Sequence, residues 1–132
     1  MAEQDISTIE TIKRGNTTGA QPVGREFSSE SGERVLRITW DDFSDDDTGV
    51  ELEVLNNVVD IVFEYTLDSG TGTFTVQGTN NDTWHDLTEN GSAIALSASG
   101  SAQPDSLPLL VRWEISGSSS PAGTVVAVIR FK

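Results

Sequence analysis

Five aspartates crowd one nine-residue stretch, Asp41-Asp-Phe-Ser-Asp-Asp-Asp-Thr-Gly49. Calcium takes roughly six to eight oxygens from closely spaced carboxylates and carbonyls, so acid at this density is a first candidate for chemistry. Neighbouring side chains point apart, however, and only some of the five can converge; Asp42, Asp45 and Asp47 are the candidates. The order is not that of an EF-hand loop, because the glycine is misplaced and the acids are consecutive rather than alternating. A solvated loop between strands fits the pattern better, and neither a metal nor another cofactor is expected.

The single histidine, His85, lies in Trp84-His-Asp86. A nucleophile, a histidine and an acid would have to meet in space to do acyl chemistry. Asp86 is adjacent in sequence, and in a strand adjacent side chains face opposite ways. No Gly-x-Ser-x-Gly elbow is present. Paired carboxylates for glycoside hydrolysis need a cleft that a small sandwich with short loops rarely builds. The expectation is therefore not an enzyme. Trp84 raises a different chemistry, the stacking of a sugar on an exposed ring. Trp40 and Trp113 continue apolar stripes and read as core, leaving Trp84 with His85 as a possible ligand or contact loop; Phe43 and Tyr65 would join it only if loops converge.

These residues must be held by strands. Leu36, Ile38 and Trp40 share one face; Val59, Ile61, Phe63 and Tyr65 make the clearest inner face, against Asp60, Glu64 and Thr66. A turn over residues 68–72 separates them from Phe74 and Val76. Short runs follow at Glu51 to Leu55 and at Ile94 and Leu96. Leu109, Val111, Trp113 and Ile115 alternate with Leu110, Arg112, Glu114 and Ser116. The last run alternates Val125, Ala127, Ile129 and Phe131 with Val126, Val128 and Arg130, and being apolar on both faces it predicts a central place in its sheet. With turn signals between the runs and no convincing helix, the fold expected is all-β: an antiparallel, jelly-roll-like β-sandwich of about eight strands over residues 23–132.

Residues 1–22 differ from the rest. Ile6, Ile9 and Ile12 recur every third residue, followed by Lys13 and Arg14. A frayed tail fits, and so does an extended arm that offers its isoleucines to a neighbouring subunit. The start of the chain has neither the basic nor the apolar segment of a signal peptide. With 8 basic and 21 acidic residues the net charge is −13. That charge is repelled by nucleic acid and by anionic membranes, so neither is expected as a partner. There is no cysteine, which removes disulfides and thiolate chemistry. The sequons at Asn16, Asn81 and Asn90 read as turn chemistry.

The stretch Val76-Gln-Gly-Thr-Asn-Asn-Asp-Thr-Trp-His-Asp-Leu87 resembles a recurring element of tailed-phage virion β-sandwich proteins. There a strand ending in Val-Gln-Gly-Ser leads through Asn, Asp and Gly to Trp and then Leu. The later strand Leu110-Val-Arg-Trp-Glu-Ile115 continues the likeness, which covers residues 58–132. Asn80-Asn81-Asp82 replaces the more usual Asp-Gly at the turn. The resemblance implies a capsid decoration (cement) protein on the virion head surface. It would be made in the host bacterial cytoplasm and bind the major capsid protein, commonly as a homotrimer. The N-terminal third carries no such likeness; on this reading its arm would lie across adjacent capsid subunits, with Ile6, Ile9, Ile12, Lys13 and Arg14 as the contacts. A tail or head-fibre component is the neighbouring expectation. The same element also resembles discoidin-like sandwiches, which implies the alternative of a carbohydrate-binding module.

Overall fold

The computed structural model describes residues 20, 22–30, 33–41, 43, 45–81 and 83–131. The predicted arm residues Ile6, Ile9, Ile12, Lys13 and Arg14 lie outside them, as does Asp42. The strands are β1 (Gly24–Glu30), β2 (Glu33–Asp41), β3 (Leu52–Glu53), β4 (Val58–Thr79), β5 (His85–Asp86), β6 (Thr88–Glu89), β7 (Ser92–Ala93), β8 (Gly100–Ala102) and β9 (Leu110–Phe131). Every strand pairing is antiparallel. None of the described residues forms a helix long and apolar enough to cross a membrane.

β4 and β9 are each 22 residues long and pair along their whole length. Neither is straight. The rings of Tyr65 and Phe74 stack with centroids 5.1 Å apart. Nine residues of straight strand would hold them about 30 Å apart, so β4 doubles back on itself. The register of the pair shifts at Leu67/Ser69, Ser69/Thr71 and Thr71/Thr73, which places the bend there. Bulges of this kind add twist and let one strand serve two sheets. The Tyr65 hydroxyl donates to the Gly72 carbonyl at 3.2 Å and clamps the fold-back.

The result is an antiparallel β-sandwich. The first layer runs β1, β2, the C-terminal half of β9 and the N-terminal half of β4, with β8 on β4. The second runs from β3 through the N-terminal half of β9 and the C-terminal half of β4 to β5. Between the layers lie Leu36, Ile38, Trp40, Ile61, Phe63, Tyr65, Val125, Ala127, Ile129 and Phe131 from one side. Phe74, Val76, Val111, Trp113, Ile115 and Leu52 meet them from the other. Trp40 and Trp113 touch edge to face across the gap at 5.8 Å, an arrangement that adds to the area they bury.

Several expectations need correcting. The segment over residues 68–72 is not a turn ending a strand but the bend of one continuous strand, and residues 116–123 of β9 bend with it. Val59 is not on the inner face. Two residues of β4 oppose one of β9 between Val58 and Asp60, so Val59 is the extra residue and is 47% exposed. Leu109 precedes β9 and is 63% exposed. Phe43 and Tyr65 join no surface platform, since both are buried and their rings meet in the core. β1, with Phe27 its one large apolar residue, has no counterpart among the expected strands. β9 does lie between β2 and β4, as its two apolar faces require.

Candidate functional site

The outer face of the second layer is assembled by register. Gln77 of β4 stands opposite Arg112 of β9 and, on its other side, opposite Asp86 of β5. Opposed residues share a face, so these three form one row pointing outward. One step along, Thr75 opposes Glu114; one step the other way, Thr79 and Glu53 flank Leu110. The alternate positions, Val76, Trp113 and Val111, are sealed in the core. A strand period of two thus separates the working face from the packing face.

Trp84 closes over this row. The Arg112 guanidinium lies 3.9 Å from the centre of the Trp84 ring, a cation–π contact. The Arg112 Nε also donates to the Gln77 side-chain oxygen at 3.0 Å. All three side chains are half-buried. A planar cation, an amide and an indole are therefore held in fixed relative positions, which lowers the entropy lost when a ligand engages them. His85 does not join them. It opposes Gly78 rather than Gln77, so it points away from Asp86 and Trp84 and is exposed.

The row ends in a pocket of about 360 Å³, lined by Glu53, Val54, Asn80, Asn81, Leu109 and Leu110 among others. The Asn80 side-chain oxygen accepts the Leu109 backbone N–H at 2.9 Å and ties the turn after β4 to the start of β9. Asn81 is fixed by its neighbours: its backbone N–H donates to the Thr79 hydroxyl at 3.1 Å, and its side-chain oxygen accepts the Thr83 N–H at 3.3 Å.

The aspartate loop is used for fastening. Asp46 N donates to the Ser118 hydroxyl at 2.7 Å, and Ser118 N returns a bond to the Asp46 carboxylate at 3.2 Å. The Ser118 hydroxyl also reaches Asp45 at 3.4 Å. Asp47 accepts the Thr48 N–H at 3.0 Å through its side chain and the Ile115 N–H at 2.8 Å through its carbonyl. No group of three or more acids or histidines able to hold a metal occurs among the described residues. A second fastening involves Asp105, whose carboxylate accepts the N–H groups of Gly91 and Asn90 and the Thr88 hydroxyl. Those donors hold its pKa below the ordinary carboxylate value.

Sequence reading singled out Trp84 and missed Arg112, which its ring meets, and Gln77, which Arg112 bonds. The available signal was the polar parity of Gln77 and Arg112 within otherwise core-forming strands. What hid the pairing was the 35-residue separation, since register between β4 and β9 is not readable from either strand alone.

No family model and no curated protein matches the chain. Among solved structures it is similar to a variant of a family 29 carbohydrate-binding module at 10% identity and a TM-score of 0.39, covering 94% of this chain and 89% of that one. A second variant, complexed with cellulohexaose, is 10% identical with a TM-score of 0.36, over 92% of this chain and 87% of that one. A third structure of a family 29 carbohydrate-binding module is 11% identical with a TM-score of 0.35. Similarity of this size extends to no site residue.

Proposed function

We propose that the chain is a non-catalytic binding β-sandwich that takes a carbohydrate on the outer face of its second layer. The observation that carries this reading is the Trp84–Arg112–Gln77 row. Sugars present an apolar face of C–H groups and an equator of hydroxyls. An indole suits the first, and a guanidinium with side-chain amides suits the second. Arg112 covers one face of the indole, and the proposed ligand sits against the other. Flat sheet faces of this kind hold such groups more rigidly than loops do. The test is calorimetric titration with a panel of oligosaccharides. Trp84→Ala should weaken any binding by about tenfold or more, with the thermal midpoint nearly unchanged. Unaltered affinity in that variant, or no binding across the panel, would sink the reading.

A second reading is a virion component, a decoration protein bound to the major capsid protein as a homotrimer. Its support is the resemblance at Val76–Leu87, a segment that folds as strand, turn and return strand with Leu87 in the core. In addition, β1 pairs on one side alone among the described residues, and an open edge of this sort is commonly covered by assembly. Quantitative mass spectrometry of density-banded particles decides it. A fixed ratio near that of the shell protein supports decoration, and absence from the particles removes it.

A further inference from the structure

Resting on the carbohydrate reading, we infer that the face recognises the end of a neutral glycan, and that the terminal sugar carries a methyl group, as acetamido and 6-deoxy sugars do. Three observations lead there. The first is charge. Around the Trp84 row the register places Glu53, Glu114 and Asp86 on the same face as Arg112, the one cation it puts there among the described residues, and that cation is already engaged by Gln77 and Trp84. A uronic acid or sulfated sugar would meet more repulsion than attraction, in a protein of net charge −13.

The second is shape. Two residues of strand advance about 6.7 Å, so the rows at Thr75 and Gln77 mark steps of roughly one sugar each, and Thr79 beyond them is buried. The face then ends at the pocket, where the Asn80–Leu109 bond joins the turn after β4 to the approach to β9. A volume of about 360 Å³ lies at the small end of the range for ligand sites and suits a terminal unit rather than a continuing chain.

The third is the lining. Glu53 and the two asparagines bring polar groups, but Val54, Leu109 and Leu110 form an aliphatic wall, with Leu109 63% exposed. A sugar bearing hydroxyls alone would set them against that wall with no partner. A methyl group fills the same space and removes apolar surface from water. An acetamido sugar also offers an amide N–H to Glu53 and a carbonyl to the asparagine side-chain N–H groups.

Calorimetric titration of the full chain tests this with four tetrasaccharides of one backbone. They end in glucose, N-acetylglucosamine, a 6-deoxyhexose or glucuronic acid. The methyl-bearing ends should bind roughly fivefold tighter than the glucose end, and the uronic acid weakest. Leu109→Ser, at an exposed side chain whose backbone bond to Asn80 remains, should erase the methyl preference. Glu53→Gln should narrow the penalty on the uronic acid. Trp84→Ala should weaken all four alike. Equal affinity for the four ends, or a preference that survives Leu109→Ser, overturns the inference while leaving the carbohydrate reading intact if Trp84 still matters. If none of the four binds, nor any glycan of the wider panel, both fall together.

Discussion

On the first layer, β4 and β9 present Val62, Val126 and Val128 to the outside; on the second, the same two strands present Thr75, Gln77, Arg112 and Glu114. The inner positions are alike, aromatic and aliphatic throughout. One pair of strands thus carries two outer surfaces of different make-up, joined at a bend: a cluster of valines set among charges on one, an indole–guanidinium–amide row on the other. The three valines are interleaved with charged and polar side chains, Glu64 and Thr66 of β4 and Arg37 of β2, and bordered by the Asp60–Arg130 ion pair. The Trp84 row has little but orienting groups. The core is shared by both layers, so the difference outside is what the proposed recognition surface rests on.

Breaking the bend should remove both surfaces at once, and it is the largest effect expected. A Cβ on Gly123 would fall within the carbonyl oxygen of Thr66, and one on Gly70 within that of Ser120. Gly70 also has a φ of 77°, where an L side chain is strained. Gly123→Ala and Gly70→Ala should each cost about 3 kcal/mol, through overpacking of backbone against backbone. Urea unfolding read by tryptophan emission measures it. A wild-type midpoint in either variant would show that the strands can turn the corner another way.

Breaking the first layer alone should cost less and leave the second working. Asp60 is 9% exposed, and Arg130 holds it by Nε at 2.8 and 3.1 Å and by a further bond from its terminal nitrogen. Arg130→Ala strands that carboxylate beneath the sheet surface, a loss of about 1–3 kcal/mol. The double variant Asp60→Ala with Arg130→Met should recover much of it, because no unpaired charge remains. Glycan affinity should not move. A fall in affinity equal to that of Trp84→Ala would mean the two surfaces are coupled through β9, and the comparison would fail.

Particular residues show how far the sequence could be read. Ile61, Phe63, Tyr65, Val125, Ala127, Ile129 and Phe131 were assignable to the core from alternation alone, since a half-buried strand writes its burial at every second residue. Trp40 and Trp113 followed from the same rule, and Trp84 stood out by departing from it. The bend was not legible. Gly70, Gly72, Ser119 and Ser120 carry turn chemistry, and a bulged strand uses the same residue types as a hairpin loop. β1 escaped because an edge strand with one large apolar residue shows no stripe. Gly49 reads as the end of an acid loop, yet in the fold it lies against the Trp113 indole, where a Cβ would overlap the ring. Long-range approach of that kind leaves no local mark.

The smallest effect expected concerns the clamp between the two halves of β4. Burial of Tyr65 against Phe74 raises its phenol pKa above the ordinary 10.0. An unfolded phenol titrates near that ordinary value of about 10, so between the two values the folded state holds a proton that the unfolded state has lost. The stabilisation is therefore complete below about pH 10 and declines as pH rises through the folded value. Tyr65→Phe removes this dependence together with the 3.2 Å bond to Gly72, at a cost of about 1 kcal/mol at neutral pH. Unfolding midpoints measured from pH 8 to 11 should then converge for the two proteins above about pH 10, as the unfolded phenol ionises while the native one keeps its proton. If the wild type instead keeps its advantage across that range, the folded phenol ionises as readily as the unfolded one, and burial against Phe74 does not raise its pKa.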